Sequence, residues 1–277
     1  MNNFKNVCIF GTGLIGGSIA LGLKRNKLCS YITGISLHQS SIIKAKKLKV
    51  IDQGSTNLNI ASNADLIILA APVKTIISQA AKIGRIIKPD CIVIDVGSTK
   101  KEVVCALDKI FPGRYIGTHP IAGLEKKGVS YARPDLFQSC LCVFTPTKAT
   151  SSKVKQQIAD LWKKLGAKVV FWDARKHDKI LGITSHLPHA IAFSLISCVP
   201  REYLPYASGG LKDTTRVAAS AENIWADIFL SNPKYLLAGI KEFKKNVANL
   251  EQAIQKNGRQ KLLRLLKEAR LKRESII

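Results

Sequence analysis

The first 172 residues of the chain alternate between short apolar runs and longer stretches in which apolar positions recur every three or four residues. The short runs are almost continuously apolar, as expected for strands buried on both faces of a parallel sheet. The longer stretches, such as residues 14–26 and 153–165, predict amphipathic helices between the strands. Strands are predicted at residues 6–10, 31–35, 66–70, 91–96, 115–118, 141–145 and 168–171. This alternation predicts an α/β fold with a Rossmann-type, doubly wound parallel sheet.

From about residue 174 onward the strand pattern stops and the apolar repeats are helical. Helices are predicted at residues 174–198, 209–220, 224–230, 233–256 and 260–272. We therefore expect two domains, an α/β domain at residues 1–173 and an all-helical domain at residues 174–277. The helical domain carries an apolar stripe at helical spacing, formed by Leu236, Ile240, Phe243, Val247, Leu250 and Ile254. A helical domain of this size often shares such a core with a second subunit, which predicts a homodimer.

The chain is strongly basic, with 43 Lys and Arg residues against 19 Asp and Glu residues and a formal net charge of +24. Part of the excess lies in the last predicted helix and its flanks, where a solvated helix surface explains it most simply. The alternative is an electrostatic field that attracts an anionic small-molecule substrate and a phosphate-bearing cofactor. No nucleic-acid partner is expected, because no basic patch interleaved with aromatic residues and no known binding motif occurs.

The cysteine pattern and the apolar runs favour a cytoplasmic protein. The seven cysteines are scattered, and only Cys140 and Cys142 are close together, so neither a disulfide framework nor a metal-binding spacing is predicted. The longest apolar run, residues 66–73, is far shorter than the roughly 18 residues of a membrane helix. The residues before the first strand show no signal-peptide pattern. We therefore expect a cytoplasmic location, no membrane partner and no bound metal.

A glycine-rich segment, GTGLIGGS, joins the first predicted strand to the first predicted helix. Its spacing is G-x-G-x-x-G, and its position between strand and helix is the context that supports dinucleotide binding. Gly11 allows the tight turn, Gly13 lets the backbone approach the pyrophosphate, and Gly16 lets helix and strand pack closely. The helix N-terminus then offers free N–H groups to the phosphates. The cofactor-binding residues predicted in the loops after two strands are Gly11, Thr12, Gly13, Leu14, Ile15, Gly16, Ala71 and Pro72.

The end of the second predicted strand bears on the choice between NAD and NADP. NAD enzymes usually carry an acidic residue there that binds the ribose 2′-hydroxyl. Here residues 35–38 read Ile-Ser-Leu-His, and no acidic residue occurs before Asp52. The polar residues that could bind a 2′-phosphate instead are Ser36, His38, Ser40, Ser41 and Lys44. NADP is therefore favoured over NAD as the cofactor.

Two segments near the ends of predicted strands carry candidate catalytic residues. DVGSTK, at residues 95–100, contains Ser98 and ends a strand where the ligand crevice of such a sheet lies. GTHPIAGLE, at residues 117–125, contains His119 just after a strand and Glu125 in the following turn. Histidine changes its charge near neutral pH, so His119 can take the proton of an alcohol that is being oxidised. A cofactor loop followed by such a histidine is the layout of a hydride-transfer enzyme.

Two segments of the helical domain complete the pattern. SHLPH, at residues 185–189, places His186 and His189 on one face of a helix. GGLKDTTR, at residues 209–216, contains Asp213 and Arg216 and opens the next helix. The four segments, in this order and over essentially the whole chain, resemble the prephenate/arogenate dehydrogenase family of tyrosine biosynthesis. The combination is far more specific than any single segment.

The resemblance implies an NAD(P)-dependent oxidative decarboxylation that gives 4-hydroxyphenylpyruvate or tyrosine. His119 matches the family's catalytic histidine, which accepts the proton of the ring 4-hydroxyl, and Ser98 matches the serine that positions this group. Arg216 matches the arginine that binds a substrate carboxylate, a task for which its bidentate fork is suited. The other residues assigned to substrate binding are Glu125, His186, His189 and Asp213.

Two other functions remain open on the sequence alone. A β-hydroxyacid dehydrogenase also joins a nucleotide domain to helices, and Lys179 stands in a place similar to that family's helix lysine. The second alternative is a nucleotide-sensing protein without catalysis. The segments around His119 and Arg216 argue against both. For His186 and His189, capping of polar core groups is an alternative, whereas a zinc pair is not expected because no third ligand follows at suitable spacing.

Overall fold

An eight-stranded sheet forms the first part of the molecule. The computed structural model describes residues 4–123 and 126–276. The strands are β1 (Phe4–Phe10), β2 (Cys29–Ile35), β3 (Gln53–Ser55), β4 (Leu66–Leu69), β5 (Ile92–Asp95), β6 (Tyr115–Pro120), β7 (Leu141–Thr145) and β8 (Lys168–Phe171). Their order across the sheet is β3-β2-β1-β4-β5-β6-β7-β8. The first six strands follow the order of a Rossmann fold, which confirms the predicted fold class.

Helices cover both faces of the sheet. They are α1 (Leu14–Arg25), α2 (Gln39–Lys47), α3 (Val73–Ile86), α4 (Lys101–Ile110) and α5 (Ser152–Lys164). Alternate side chains of β1 point to opposite faces, so that Val7 and Ile9 join one apolar cluster while Cys8 and Phe10 join the other. The first cluster includes side chains of α1, α2 and α5, and the second includes side chains of α3 and α4. The sheet is therefore buried on both sides, as its continuous apolar runs predict.

Two features of the sheet differ from the sequence prediction. β3 was not predicted, because Gln53–Ser55 is a three-residue polar edge strand that pairs only with β2. β7 runs antiparallel to β6, with Thr118 opposite Phe144 and His119 opposite Val143. A parallel pair needs a crossover, usually a helix, and the described residues between β6 and β7 form only a short 3-10 turn. β6 also extends through Pro120, so that His119 lies within the strand rather than after it.

The second part of the described chain is helical, as predicted. Its helices are α6 (Ala174–Leu181), α7 (Leu187–Ser197), α8 (Gly209–Thr215), α9 (Glu222–Ser231), α10 (Pro233–Gln255) and α11 (Arg259–Glu274). A π-helical turn, Gly182–His186, joins α6 to α7 into one continuous helix. We propose that the domain boundary lies at Asp173, where the side chain caps α6 by accepting hydrogen bonds from the N–H groups of Arg175 and Lys176.

Apolar surface on the helical part is only partly covered by the chain itself. Along the α10 stripe Leu236 is buried, but Phe243 is 38% exposed and Val247 is 45% exposed. The helical run Ala174–Ser197 is long and apolar enough to cross a membrane, and 22% of its most apolar window is buried inside the described structure. This is weak support for a membrane segment, because the start of the run carries His177 and Asp178, which are buried and hydrogen-bonded. Uncovered apolar surface such as the α10 stripe is typical of a subunit contact.

Candidate functional site

A cavity of about 640 Å³ lies at the carboxyl ends of β1 and β4, where the strand order reverses. This is the position at which doubly wound sheets bind their ligands. The predicted cofactor residues that line it are Gly11, Thr12, Gly13, Leu14, Ile15, Ser36, His38, Ala71 and Pro72. Gly16 and Ser40 do not line it, whereas Ser41 and Lys44 do. The cavity therefore brings together most of the predicted cofactor set.

The three glycines of the G-x-G-x-x-G motif are required for different structural reasons. Gly11 has a φ of +103°, and a Cβ atom there would lie 2.5 Å from the carbonyl oxygen of Ala70. At Gly16 a Cβ atom would overlap the carbonyl oxygen of Gly11 and meet the side chain of Ile9, so this glycine serves the packing of α1 on β1. A Cβ atom at Gly13 would meet nothing within 4 Å. Gly13 thus borders open space, as a close approach to a phosphate requires.

The residues around this loop fit the phosphates of a dinucleotide. No side chain caps the N-terminus of α1, and its first turn carries no acidic residue, so its N–H groups and positive dipole end remain for an anion. The hydroxyl of Thr12 is buried and has no hydrogen-bond partner within the described chain. A buried hydroxyl without a partner is costly, and a bound ligand that supplies one would remove that cost.

The far end of this cavity, formed by Ser36, His38, Ser41 and Lys44, is polar and basic. Asp52, the first acidic residue after β2, does not line the cavity; its carboxylate pairs with Lys24 at 2.6 Å and accepts the N–H of Ile32 at 2.7 Å. The acidic residue that does line the cavity, Asp227 of α9, pairs with Lys74 at 3.4 Å.

A second cavity, of about 390 Å³, lies between the carboxyl edge of the sheet and the helical part. The predicted catalytic and substrate residues that line it are Ser98, His119, His186, His189 and Arg216. It shares the lining residues Ser98, Ala122, Gly123, Lys126, Lys127, Ile224 and Ile228 with the first cavity. The two cavities therefore adjoin along one wall, and Ser98 belongs to both. Three cationic side chains, those of Lys126, Lys127 and Arg216, make the second cavity suited to an anionic ligand.

One predicted substrate residue, Asp213, does not reach this cavity. Asp213 lies on α8, is exposed, and lines neither cavity. Glu125 lies outside the described residues. Among those residues, no group of three or more His, Cys, Asp or Glu side chains could hold a metal ion.

His119, which is half-buried, is the first member of a chain of hydrogen bonds whose other side chains are buried. Its Nδ1 lies 2.8 Å from Nε2 of His177, and Nδ1 of His177 lies 2.8 Å from Oδ1 of Asp178. Asp178 also accepts the N–H groups of Lys100 at 2.8 Å and Lys101 at 2.9 Å, at the start of α4. These contacts join β6 and α4, on the sheet, to α6, at the start of the helical part.

Burial changes the proton affinity of the three hydrogen-bonded side chains. Burial lowers the pKa of His119 well below its usual range, and the neighbouring His177 and Lys100 act in the same direction. Burial likewise lowers the pKa of His177, against the opposing effect of Asp178. Burial would raise the pKa of Asp178, but hydrogen bonds from His177 and from two backbone N–H groups hold it below the usual value. Near neutral pH the imidazoles of His119 and His177 are therefore neutral, and Asp178 is a carboxylate.

A second buried polar group supports the segment DVGSTK beneath the cavities. The carboxylate of Asp95 accepts the hydroxyl of Tyr115 at 2.7 Å and the N–H of Gly97 at 2.8 Å, and it pairs with the ammonium of Lys100. Burial, followed by the charge of Asp95, raises the pKa of Tyr115 well above its usual value, which keeps this donor protonated. These contacts fix the backbone that carries Ser98.

His186 has a different partner from His119. The amide Nδ2 of Asn232 donates to the carbonyl oxygen of Asp178 at 2.8 Å and lies 3.2 Å from Nδ1 of His186. Since that nitrogen of His186 accepts a hydrogen bond, its proton is on Nε2, the nitrogen left for the cavity. Burial lowers the pKa of His186 to about 4, so the ring is neutral near pH 7.

Sequence reasoning did not identify His177, Asp178, Asn232 or Trp225 as part of the site. A signal was available for the first two, because helical spacing places them on the same face as Leu181, which is buried. Polar residues on a buried helical face need partners, and those partners are often functional. No comparable local signal distinguishes Asn232 or Trp225 from ordinary residues of α9 and its end.

Two family models match the chain. One, described as the nucleotide-binding domain of prephenate dehydrogenase, matches residues 19–171. The other, described as the dimerization domain of prephenate dehydrogenase, matches residues 173–268. Together these matches cover most of the chain.

Individual relatives agree with these models. The prephenate dehydrogenase of Bacillus subtilis is 32% identical over 287 aligned positions, which cover 100% of this chain and 77% of that protein. The crystal structure of prephenate dehydrogenase from A. aeolicus, in complex with hydroxyphenyl propionate and NAD+, has a TM-score of 0.91 at 36% identity and covers 99% of this chain and 98% of that one. Synechocystis arogenate dehydrogenase has a TM-score of 0.81 at 27% identity, covering 98% and 100% of the two chains.

Proposed function

Because this chain belongs to the prephenate dehydrogenase family, we propose that it catalyses the NAD(P)-dependent oxidative decarboxylation of prephenate or arogenate in tyrosine biosynthesis. The observation that carries the proposal is the position of His119. His119 lines the second cavity, called the cationic cavity from here on. Ser98 lines this cavity too, and it also lines the first cavity, the dinucleotide cavity. A proton acceptor at such a junction is what oxidation of a ring alcohol requires.

The dinucleotide would be held by the loop of Gly11, Thr12 and Gly13, by the N-terminus of α1, and by Ala71 and Pro72 after β4. When bound, its nicotinamide accepts the hydride that leaves the ring carbon bearing the 4-hydroxyl. Apolar side chains, among them those of Phe10, Ile35 and Val96, also line the dinucleotide cavity.

His119 handles the proton of the reaction. It accepts the proton of the 4-hydroxyl as the carbon–hydrogen bond breaks, which leaves a ketone oxygen on the ring. The ring carboxylate then leaves as CO2, its bonding electrons complete the aromatic ring, and the ketone oxygen takes a proton to become a phenol. The proton taken from the alcohol equals the proton needed by the phenol, so His119 can return it and no net proton is released. Ser98 positions the ring oxygen that gives this proton to His119 and takes it back.

The cationic side chains of the second cavity bind the substrate. Arg216 takes a substrate carboxylate through its planar, two-pronged guanidinium. Lys126 and Lys127 add positive charge, which favours a substrate with two carboxylates. His186 and His189 lie in the helical wall of the cavity and contribute hydrogen bonds to the part of the substrate that does not react.

NADP is the cofactor we propose. The polar and basic end of the first cavity, with Ser36, His38, Ser41 and Lys44, can donate hydrogen bonds and charge to a 2′-phosphate. Asp52 does not compete there, because its carboxylate is bound by Lys24 and the backbone of Ile32. The A. aeolicus relative was crystallised with NAD+, so the two cofactors need direct comparison in this chain.

A homodimer and a cytoplasmic location complete the proposal. The dimerization-domain match covers residues 173–268, and the apolar stripe of α10 within it is partly uncovered in the single chain. The seven cysteines are free thiols, as expected for a protein that folds in a reducing compartment.

One four-way assay tests the proposed activity. Formation of reduced cofactor is measured with prephenate and with arogenate, each with NAD and with NADP. We expect turnover with at least one substrate, accompanied by CO2 and an aromatic product. His119→Asn should lower kcat on the order of 10²–10⁴-fold with a nearly unchanged KM, because a general base is removed while the binding groups remain. Absence of turnover in all four combinations, or wild-type kcat in His119→Asn, would contradict the proposal.

The β-hydroxyacid dehydrogenase alternative receives less support. The helix lysine it would need, Lys179, is exposed on α6 and lines neither cavity. On this helix the side chain that contacts His119 is that of His177, two residues before Lys179.

A further inference from the structure

The buried chain from His119 through His177 to Asp178 crosses the junction between the two parts of the protein. His177 is 0% exposed and Asp178 is 1% exposed, so water does not compete for these hydrogen bonds. Neither residue lines the cationic cavity. Their influence on the reaction must therefore pass through His119.

The hydrogen-bond partners determine where each proton lies. Asp178 already accepts two backbone N–H groups, one on each carboxylate oxygen, and an ionised carboxylate has no proton to donate. Nδ1 of His177 must therefore be the donor to Asp178. A neutral imidazole carries one proton, so Nε2 of His177 is an acceptor, and the hydrogen on that bond comes from Nδ1 of His119. Nε2 of His119 is then left with a free electron pair for the cavity.

Burial, His177 and Lys100 disfavour a charged His119, and the carboxylate of Asp178 is the buried charge that offsets part of this cost. Asp95 and Lys100 form a buried pair of opposite charge, which leaves the carboxylate of Asp178 as the uncompensated charge of this cluster. The other histidine that lies close by, His186, is neutral. When His119 accepts a proton, the positive charge lies next to His177, whose other nitrogen donates to Asp178. An imidazolium is thereby stabilised in a site that is otherwise unfavourable to it.

We propose that His177 and Asp178 are positioning residues that hold His119 with its proton on Nδ1, so that Nε2 accepts the proton of the substrate hydroxyl. This inference rests on the proposed function of His119. Ser-His-Asp enzymes use an aspartate on a histidine in the same way, and replacement of that aspartate by asparagine leaves the wrong nitrogen protonated. Here a second histidine lies between the aspartate and the proton acceptor.

Asp178→Asn provides the first test. When the amide nitrogen occupies the Oδ1 position, it donates to Nδ1 of His177, which reverses the hydrogen bond to His119 and places the proton of His119 on Nε2. We expect kcat to fall on the order of 10²–10⁴-fold, with KM and the dissociation constant of NADP nearly unchanged. Asp173→Asn is the matched control, because the side chain of Asp173 also accepts two backbone N–H groups of the same helix but bonds to no histidine ring in the described structure.

The 15N chemical shifts of the histidine side chains report the proton positions directly. With only five histidines in the chain, the resonances can be assigned by single substitutions. We expect the Nδ1–H form of His119 in the wild type and the Nε2–H form in Asp178→Asn. A purely structural role of Asp178 would not move the proton between these nitrogens. The Nε2–H form in the wild type would overturn the proposal.

A pair of His177 variants covers the case in which Asp178→Asn fails to fold. Gln at position 177 can donate to Asp178 through its amide nitrogen and accept from His119 through its oxygen, whereas Leu can do neither. We expect His177→Gln to retain at least 10-fold more kcat than His177→Leu. Equal kcat in the two variants, or a wild-type kcat in Asp178→Asn, would overturn the proposal. If His119→Asn loses turnover but the His177 and Asp178 variants do not, the proposed function stands and this inference fails.

Discussion

The imidazole of His189 stacks on the indole of Trp225, with ring centroids 3.4 Å apart and an angle of 20° between the planes. His189 comes from α7 and Trp225 from α9, so the stack joins two helices and forms part of the cavity wall. Nδ1 of His189 donates to the carbonyl oxygen of Ser185 at 3.0 Å, which fixes the orientation of the ring. This pair supplies a flat, partly apolar surface opposite the sheet edge that carries His119.

The position of Trp225 makes ligand binding visible. The chain has three tryptophans, of which Trp162 is buried in the sheet core and Trp225 lines the cationic cavity. We expect the proposed product 4-hydroxyphenylpyruvate to change the intrinsic fluorescence of the wild type. Trp225→Phe should remove most of that change, while Trp172→Phe, outside both cavities, should keep it. A change that survives in Trp225→Phe would place the ligand elsewhere.

Arg216 is expected to act on substrate binding more than on turnover. It lines the cationic cavity and would bind a carboxylate that is present before and during the reaction. Arg216→Ala should therefore raise KM at least 10-fold with a smaller effect on kcat, and Arg216→Lys should recover part of the loss. Arg264→Ala, on α11 and outside both cavities, serves as the control. If kcat falls by a larger factor than KM rises, Arg216 acts mainly in the transition state.

The cofactor preference depends on the end of the cavity after β2. Ser36→Asp introduces a carboxylate that repels a 2′-phosphate and can bind a 2′-hydroxyl. It should raise KM for NADP far more than KM for NAD, and Lys44→Ala should weaken NADP selectively through loss of charge. Lys47→Ala, on the same helix but outside the cavity lining, is the matched control. Equal effects of Ser36→Asp on the two cofactors would refute the assignment of this end to a 2′-phosphate.

The pH dependence of activity should reflect the lowered pKa of His119. Only the neutral imidazole accepts a proton, so activity is lost as pH falls through the pKa of His119 in the folded enzyme. Burial, His177, Lys100 and His186 all lower that pKa below the ordinary value of 6.5. We expect the acid limb of kcat/KM to lie below pH 6.5, with full activity retained near pH 6.5. An acid limb at or above that pH would contradict the burial of this group.

The subunit contact should involve the apolar stripe of α10. Val247 is 45% exposed in the single chain, so Val247→Glu should leave the fold of one subunit intact while it disfavours a contact through this face. Sedimentation should give about twice the chain mass for the wild type and a shift toward the single-chain mass for the variant. Ile43→Glu on α2, which makes the same kind of change at an exposed site of the sheet part, should stay dimeric. A wild type that sediments as a single chain would exclude the homodimer.

Regular elements could be predicted because their patterns are local. The predicted helices at 174–198 and 233–256 agree within a residue or so with the continuous run Ala174–Ser197 and with Pro233–Gln255. β3 escaped prediction because its three residues contain no apolar side chain and their pairing depends only on the free edge of β2. The direction of β7 depends on how the chain returns from β6, which no periodicity encodes.

Part of the candidate site could likewise be predicted from the sequence, and part could not. Ser98 and His119 could be identified because each lies in a short motif near the end of a strand. His177 and Asp178 could not be linked to His119, because 58 residues separate the two histidines and their contact depends on the packing of α6 against the sheet. Their helical spacing indicated that His177 and Asp178 are buried, but it did not identify His119 as the partner of His177.

By itself the sequence determined the succession of strands and helices and the dinucleotide loop, because hydrophobic periods and glycine spacing act over a few residues. It also singled out His119 as the candidate proton acceptor, from a short motif at the end of a strand. Only the tertiary structure decided that His119 meets His177 and, through it, Asp178. The proton of a neutral histidine lies on the nitrogen whose partner accepts it, and that partner is chosen by the packing of the helical part on the sheet.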